Sequence, residues 1–278
     1  MINQEGNIMN ILVALDSNYI HPLCVMFNSL AKTNAGNSFD IYVAYSSLTE
    51  DDFSQMEKAL GSLDARIHRV LVDDEIFSGA PVLSRLSKAT YYRLLIGDIL
   101  PESVDRLLYL DPDIVINKDL TEFYNLDLKG NVIAGGTHLY GIIEMGNLSR
   151  LLISPTPKHH YINAGVLLID LAEWRKTVTL GQIMSFIQKN IKFLLLADQD
   201  VINVLFSDKL LVIDERIYNL DEKTLKHFKN KLAGSKKIDL DWVRKNTVVI
   251  HFNGKHKPWN ETDYKGELGE FYEKNKTF

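Results

Sequence analysis

Two aspartates of this chain stand where they could bind a metal ion. Asp111 and Asp113 flank Pro112, directly after the apolar run Arg-Leu-Leu-Tyr-Leu at 106–110. Proline cannot donate a hydrogen bond within a strand, so a strand over this run must end there. Open parallel sheets bind ligands at the carboxyl ends of their strands, and two carboxylates there suit a hard cation such as Mg²⁺ or Mn²⁺. The alternative is an Asp-Pro turn that caps the next element.

The Asp-x-Asp pattern alone does not identify a metal site. The chain contains three such triplets, at 111/113, 198/200 and 239/241. The first is distinguished by its position at the end of an apolar strand. His251 is the next candidate, because imidazole with carboxylates is a ligand set that Mn²⁺ accepts. By itself, a histidine after a β-branched run is more often a structural residue. Further along, Gly254 permits a ligand to approach the backbone closely, and Lys257 could meet a phosphate as a point charge.

A second group of candidates follows the first apolar run. Ala14, Asp16 and Asn18 combine a small residue, a carboxylate and an amide, which suit the polar edge of a base or a ribose hydroxyl. The alternative for Asp16 is a helix N-cap. The chain has no Gly-x-Gly-x-x-Gly at this point, which leaves Rossmann-type dinucleotide binding unsupported, and no P-loop motif anywhere.

The elements that must position these residues alternate between strand and helix. Hydrophobic patterning predicts strands over 8–15, 39–45, 66–72, 106–110, 132–135, 164–170 and 247–251. It predicts helices over 20–32, from 49 onward, and over 84–96, 180–190 and 199–206. This alternation is typical of βαβ units and a parallel sheet. Because no linker or repeat interrupts the chain, we expect one domain over 1–260 and a short tail over 261–278.

Composition narrows the class of protein. The chain of 278 residues has a net charge of −5, which argues against nucleic-acid binding. Its single cysteine, Cys24, allows no intrachain disulfide and favours a reducing compartment. The sequence has neither a signal-peptide pattern at its start nor a run of about 20 apolar residues that could span a bilayer. We therefore expect a cytoplasmic protein without a transmembrane segment.

Together these motifs resemble glycosyltransferase family 8, the retaining transferases that include bacterial lipopolysaccharide galactosyltransferases and glycogenin. The matching stretches occur in the family's order, at 13–19, 90–94, 108–114, 163–169, 198–200 and 251–259. The resemblance covers residues 8 to 260. It implies a single-domain nucleotide-diphosphosugar transferase fold, with a mostly parallel twisted central sheet flanked by helices.

The resemblance also implies a donor, a metal and roles for particular residues. The donor would be UDP-glucose or UDP-galactose, and the metal Mn²⁺ or, as an alternative, Mg²⁺. The implied contacts are uracil and ribose for Ala14, Asp16 and Asn18; donor sugar or diphosphate for Arg93; metal for Asp111, Asp113 and His251, with Pro112 between the aspartates; phosphate for Gly254 and Lys257; and donor-sugar hydroxyls for Asn163, Ala164, Gly165, Asp198 and Gln199.

The catalytic candidates are Asp198, Gln199 and Asp200. Retention requires either a nucleophile on the far face of the sugar or departure and attack on the same face. The resemblance puts Gln199 near that far face, but an amide is a poor nucleophile. Asp200 is one residue away, where helical geometry turns its side chain about 100° aside. We favour the front-face route and keep a covalent intermediate on Asp200 as the alternative.

The acceptor is expected to be a glycan or lipooligosaccharide. Where the bacterial galactosyltransferases are expected to have an aspartate near the sugars, this chain has Thr137 and His138. The loop over 140–158 is predicted to close over the substrates. The tail over 261–278 is short and charge-balanced, which favours a solvated or packed helix over membrane contact, so membrane association at the cytoplasmic face would be peripheral at most. Two other functions remain open: a sugar-phosphate nucleotidyltransferase and a non-catalytic UDP-sugar-binding protein.

Overall fold

The computed structural model describes residues 8–77, 88–137, 153, 161–229 and 238–277. The strands are β1 (Met9–Ala14), β2 (Ser38–Tyr45), β3 (Asp64–Leu71), β4 (Arg106–Leu110), β5 (Ile114–Ile116), β6 (Ile133–Gly136), β7 (Val166–Asp170), β8 (Leu210–Ile213) and β9 (Val249–His251). The α-helices are α1 (Ile20–Thr33), α2 (Glu50–Leu60), α3 (Ile96–Ile99), α4 (Thr121–Tyr124), α5 (Leu171–Thr177), α6 (Leu180–Asn190), α7 (Asp198–Leu205), α8 (Glu215–Tyr218), α9 (Glu222–Lys229), α10 (Leu240–Asn246) and α11 (Gly269–Glu273). Short 3₁₀ helices cover Ser17–Tyr19, Asp74–Phe77 and Lys88–Leu95.

The central sheet, within the described residues, has seven strands in the order β3-β2-β1-β4-β7-β6-β8. β1 pairs in parallel with β2 and β4, β2 with β3, and β6 with β8. Only β7 is antiparallel to its neighbours, β4 and β6. The predicted α/β fold, with a mostly parallel central sheet flanked by helices, is confirmed.

The core lies on both faces of this sheet, because successive residues of each inner strand point to opposite sides. In β1, Leu12 belongs to one buried hydrophobic cluster, while Ile11 and Val13 belong to another. Strands covered on both faces need apolar residues at nearly every position, which explains the continuous apolar runs in the sequence. A third cluster joins β5 and β9 to the C-terminal segment through Val115 and Ile250.

One predicted helix has a different geometry. Of the stretch 84–96, residues 84–87 lie outside the described residues, and Lys88–Leu95 forms a 3₁₀ helix that continues into α3. Periods of 3.0 and 3.6 residues give nearly the same apolar pattern over two turns, so the sequence did not distinguish them.

The strand predicted over 164–170 begins at Val166, two residues later. The Oδ1 atom of Asn163 accepts a hydrogen bond from the backbone N–H of Gly165 at 2.9 Å. Such a side-chain-to-backbone bond replaces a strand hydrogen bond with a local turn. The strand therefore starts only after this turn.

The segment after residue 260 packs against the rest of the protein. Leu268, Phe271 and Tyr272 are buried in the third cluster, the last two of them on α11. The Nδ2 atom of Asn28, on α1, donates hydrogen bonds to the carbonyl oxygens of Asn275 and Thr277. Within the described part of the chain, no helix is long and apolar enough to cross a membrane. The division at residue 260 stays a prediction.

Candidate active site

Asp113 and His251 meet because two short strands, β5 and β9, pair with each other. β5 starts immediately after the Asp-Pro-Asp turn, and its first residue, Ile114, is in register with His251. The backbone N–H of Phe252 donates to the carbonyl oxygen of Asp113 at 2.9 Å. This antiparallel pair carries the end of the chain to the carboxyl edge of β4.

Three ligand atoms converge at that edge. The Nε2 atom of His251 lies 3.1 Å from Oδ1 of Asp113 and 3.7 Å from Oδ2 of Asp111. Each of the three residues offers one ligand atom, and these three atoms lie within 4.8 Å of one another. Ligands on opposite sides of a small divalent cation are separated by about 4.2 Å, because each bond is about 2.1 Å long. The three atoms can therefore share one ion after small movements.

Gly165 leaves room for such an ion. A Cβ at this position would lie 2.3 Å from Cε1 of His251 and 2.5 Å from Oδ2 of Asp111. Its carbonyl oxygen accepts the backbone N–H of Asp111 at 2.8 Å, which holds the turn beside the glycine. Because two carboxylates and an imidazole suit Mn²⁺, and Mg²⁺ accepts the carboxylates, the residues present fit a divalent cation.

Lys257 is the nearest cation to this cluster. Its Nζ atom donates to Oδ2 of Asp113 at 2.6 Å and also to the carbonyl oxygen of Phe252. Burial would raise the pKa of Asp113, but Lys257 and His251 hold that pKa below its usual value. Asp113 is therefore a carboxylate at neutral pH, as a metal ligand must be.

Arg93 links the group formed by Asp111, Asp113 and His251 to the start of α7. Its Nη2 atom lies 2.9 Å from Oδ1 of Asp111, and its Nε atom lies 3.0 Å from Oδ2 of Asp198. The guanidinium group stacks over the ring of Tyr109 at 4.3 Å and donates to the carbonyl oxygen of Ala164. Burial would lower the pKa of Arg93, but the two aspartates hold it above its ordinary value. Arg93 is thus enclosed among protein groups, and its predicted contact with the donor stays a prediction.

Asp198 is a buried acid in an unusual state. Burial raises its pKa to about 7, against the opposing effect of Arg93. Although Oδ2 is close to Nε of Arg93, that N–H donates to the carbonyl oxygen of Thr90 instead. Among the described residues, the Oδ2 atom accordingly makes a charge contact but accepts no hydrogen bond. A hydroxyl group is the kind of donor that would satisfy it.

The next two residues of α7 have different surroundings. The Oε1 atom of Gln199 accepts from Nδ2 of Asn163 and from the backbone N–H of Ala164, both at 3.1 Å. Asp200 is fully buried, and its two oxygens accept from the hydroxyl of Tyr161 at 2.5 Å and the backbone N–H of Leu196 at 2.7 Å. Gln199 thus adjoins the start of β7, while Asp200 holds neighbouring structure together.

The N-terminal candidates lie along the same edge, because β1 is parallel to β4 and adjacent to it. Ala14 ends β1 and is buried, and Asn18 is exposed. Oδ1 of Asp16 accepts the backbone N–H of Asn18 at 2.9 Å, so Asp16 caps the following 3₁₀ turn. Burial raises the pKa of Tyr19, and so do the negative charges of Asp113 and Asp111. This turn therefore lies near the two aspartates. The predicted nucleoside contacts stay predictions.

The remaining candidates are Gly254, Thr137 and His138. A Cβ at Gly254 would meet only the carbonyl oxygen of His256, at 3.9 Å, so the backbone there is accessible. Thr137 is buried at the end of β6. His138 lies outside the described residues, as does the loop predicted to close over the substrates, apart from residue 153.

Sequence reasoning missed several residues of the site. Asn219, which is fully buried, approaches Nδ1 of His251 with its Oδ1 atom at 2.9 Å. Tyr109 donates to Oδ1 of Asp111 at 2.8 Å, and Tyr161 bonds Asp200. Tyr109 could have been suggested by its place two residues before Asp111. Asn219 follows a helix of only four residues and has no signal in the sequence.

Comparisons with known proteins identify the family of this chain. The family model described as glycosyl transferase family 8 matches residues 10–263. General stress protein A of Bacillus subtilis (strain 168) is 29% identical over 265 residues, which cover 92% of this chain and 89% of that protein. A lipopolysaccharide 1,2-glucosyltransferase of Escherichia coli (strain K12) is 28% identical, over 91% of this chain and 73% of that protein.

A solved structure shares the fold over nearly the whole length. The crystal structure of the galactosyltransferase LgtC with donor and acceptor sugar analogues has a TM-score of 0.81 and 26% sequence identity to this chain. The match covers 96% of this chain and 95% of that one. With the family model matched from β1 to beyond β9, the chain belongs to glycosyl transferase family 8 and is a glycosyltransferase.

Proposed function

We propose that the protein transfers glucose or galactose from UDP-sugar to a hydroxyl of a glycan or lipooligosaccharide acceptor, with retention of the anomeric configuration and with Mn²⁺ bound. The observation that carries this proposal is the convergence of Asp111, Asp113 and His251 at the carboxyl edge of β4. The names of relatives support the substrate class, since they include lipopolysaccharide 1,2-glucosyltransferase and lipopolysaccharide 1,3-galactosyltransferase. We place the reaction in the cytoplasm, with at most peripheral contact with the inner membrane surface.

The charges of the site suit departure of a nucleoside diphosphate. When the sugar–phosphate bond breaks, UDP gains negative charge. A divalent cation held by Asp111, Asp113 and His251 would supply positive charge to the diphosphate. Lys257, beside Asp113, offers a second positive group to the phosphates. Positive charge that acts as the bond breaks lowers the barrier, rather than only tightening binding.

Residues on the other side of the cluster would orient the donor sugar. Asp198 has a carboxylate oxygen that accepts no hydrogen bond from the described residues, so we assign it a donor-sugar hydroxyl. Asn163, Ala164 and Gly165 immediately precede β7, whose antiparallel direction brings their turn to the edge where β4 ends. Gln199 contacts this turn directly and would line the same subsite.

The surroundings of Asp200 favour front-face retention. A nucleophile must bring a free lone pair to the anomeric carbon. Asp200 is fully buried, and hydrogen bonds from Tyr161 and Leu196 hold both of its oxygens in place, so neither oxygen is positioned to reach the sugar. We therefore propose that the acceptor hydroxyl attacks on the face from which UDP leaves, and that the departing phosphate takes the hydroxyl proton.

Release of UDP tests the proposal. The protein would be incubated with Mn²⁺ and either UDP-glucose or UDP-galactose, so that water substitutes slowly for the acceptor. We expect UDP to form, and both EDTA and Asp113→Ala to suppress it almost completely. Asp241→Asn is the matched control, because Asp241 belongs to another Asp-x-Asp triplet and its pair with Arg244 is exposed.

Other outcomes would contradict the proposal. Turnover by Asp113→Ala at the wild-type rate in EDTA would exclude the metal assignment. Formation of UTP from added pyrophosphate would indicate a nucleotidyltransferase, and donor binding without turnover would indicate a non-catalytic protein. Thermal-shift measurements with each donor and Mn²⁺ would then identify the preferred sugar, because stabilisation follows affinity.

A further inference from the structure

We infer that Asn219 is a positioning residue, which holds the His251 ring in the tautomer that has a proton on Nδ1, so that Nε2 is the nitrogen left to bind a cation. Only that tautomer can bind a cation through Nε2, the nitrogen that faces Asp111 and Asp113. The inference rests on the proposed function, because it assumes that this cluster binds the metal.

The argument starts from two backbone N–H groups, which can only donate hydrogen bonds. The N–H of Gly165 lies 2.9 Å from one terminal atom of the Asn163 side chain, which must therefore be the oxygen. The N–H of Ala164 lies 3.1 Å from a terminal atom of Gln199, which must likewise be the oxygen. The other end of Asn163 faces this Gln199 oxygen at 3.1 Å and must be its NH₂ group. The two backbone groups thus give the same orientation for Asn163.

The orientation of the Asn163 amide fixes the orientation of the Asn219 amide. The Asn163 oxygen lies 3.0 Å from the side chain of Asn219. Since an oxygen cannot donate, the atom of Asn219 on this side must be Nδ2. The opposite atom, Oδ1, then faces Nδ1 of His251 at 2.9 Å. An amide oxygen accepts only, so Nδ1 of His251 must carry a proton.

Packing prevents the amide of Asn219 from turning over. The residue is fully buried, and its backbone N–H bonds the carbonyl oxygen of Glu215 at 3.1 Å. Its Cβ lies 3.3 Å from the place where a Cβ on Gly136 would be, so the side chain packs closely against β6. A reversed Asn219 amide would put its oxygen against the oxygen of Asn163, which costs about 1–3 kcal/mol for each unsatisfied buried group. The chain of amides therefore holds His251 in one tautomer.

Two substitutions at Asn219 separate this role from simple packing. Asn219→Asp keeps an acceptor for Nδ1 of His251, whereas Asn219→Leu has a similar size and keeps none. We expect Asn219→Leu to bind Mn²⁺ about 10–100 times more weakly than the wild type, the usual effect of losing such a partner. We expect Asn219→Asp to bind Mn²⁺ more tightly than Asn219→Leu, although it loses the hydrogen bond to Asn163. Free Mn²⁺ would be measured by electron paramagnetic resonance, without donor present, so that the readout does not depend on turnover.

Asn28→Leu is the matched control, because Asn28 is also a buried asparagine with two hydrogen bonds, but its partners are Asn275 and Thr277. It should lose stability and keep its Mn²⁺ affinity. The ¹⁵N spectrum of the metal-free wild-type protein tests the tautomer without any variant at Asn219, with the His251 signals identified from His251→Gln. Nδ1 should carry a proton, whether or not Nε2 also shares one with Asp113 when no metal is bound.

The outcomes distinguish this inference from the proposed function. A wild-type His251 without a proton on Nδ1, or an Asn219→Leu variant that binds Mn²⁺ as tightly as the wild type, would overturn the role of Asn219 alone. A wild-type protein that binds no Mn²⁺ would overturn the proposed metal site and this role together. Weak binding by Asn219→Leu, with tighter binding by Asn219→Asp and binding preserved in Asn28→Leu, would support it.

Discussion

The Nζ atom of Lys257 lies 2.6 Å from Oδ2 of Asp113, so the lysine neutralises one of the proposed metal ligands. The same side chain lies 5.1 Å from the ring centroid of Trp259. This contact keeps the ammonium group beside the cluster. In this position Lys257 pairs with the carboxylate of Asp113, and we propose that it also binds a phosphate of the donor.

Replacing Lys257 should separate catalysis from metal binding. We expect Lys257→Met to lower the rate of UDP formation by about 10²–10³, as loss of one electrostatic donor does elsewhere. Its Mn²⁺ affinity should not fall, because removing a cation next to Asp113 leaves the site more negative. Initial rates and Mn²⁺ titrations would measure the two effects. Lys255→Met, at an exposed neighbouring position, is the control. Wild-type turnover in Lys257→Met would show that the lysine has no role with phosphate.

Gly165→Ala should damage the metal site directly. The added methyl group would lie 2.3 Å from Cε1 of His251 and 2.5 Å from Oδ2 of Asp111, so at least one ligand must move. We expect Mn²⁺ to bind at least about tenfold more weakly, in line with other disturbances around ligands. Gly181→Ala on α6 is the control, because nothing lies within 4 Å of its added Cβ. Equal Mn²⁺ affinity in Gly165→Ala and the wild type would show that the cluster is not the binding site.

Asp198 should make stability depend on pH. Its pKa is about 7 in the folded protein and near the ordinary value of 3.8 in the unfolded chain, so folding takes up a proton between these pH values. Stability from this group is therefore present at low pH and is lost as the pH rises toward 7. Between pH 5 and pH 8 the loss is at most about 3 kcal/mol, at 1.36 kcal/mol per pKa unit.

Urea unfolding of the wild type and of Asp198→Asn at these two pH values would measure the difference. The amide cannot ionise, so the free energy of unfolding of the variant should fall less between pH 5 and pH 8. Only the change with pH is compared, because the substitution also alters the contact with Arg93. An identical pH dependence in the two proteins would contradict the raised pKa.

Asp200→Asn should reduce turnover by less than about tenfold, whereas loss of a catalytic nucleophile typically costs far more. The reason is that Asp200 accepts hydrogen bonds from Tyr161 and Leu196, so its substitution weakens local structure and removes no group that takes part in the reaction. Intact-protein mass spectrometry after incubation with a slowly reacting donor analogue would search for a covalent sugar adduct. An adduct on Asp200 would establish a covalent intermediate and exclude the front-face route.

The sequence by itself determined the class of fold and the main candidates. The continuous apolar run of β4 and its end at Pro112 follow from local chemistry, because a residue buried on both faces must be apolar and proline cannot pair. The helices α1, α2 and α6 were likewise predicted to within two residues at each predicted boundary, since their apolar stripes are long enough to define a period.

Only the tertiary structure decided how the site is assembled. His251 is 138 residues from Asp113, and the strands that join them, β5 and β9, have three residues each. Three residues are too few to show a hydrophobic period, and nothing local specifies which distant segment will pair. Asn219 depends on the same long-range contacts, because an asparagine becomes a partner of His251 only when the fold brings the two side chains together.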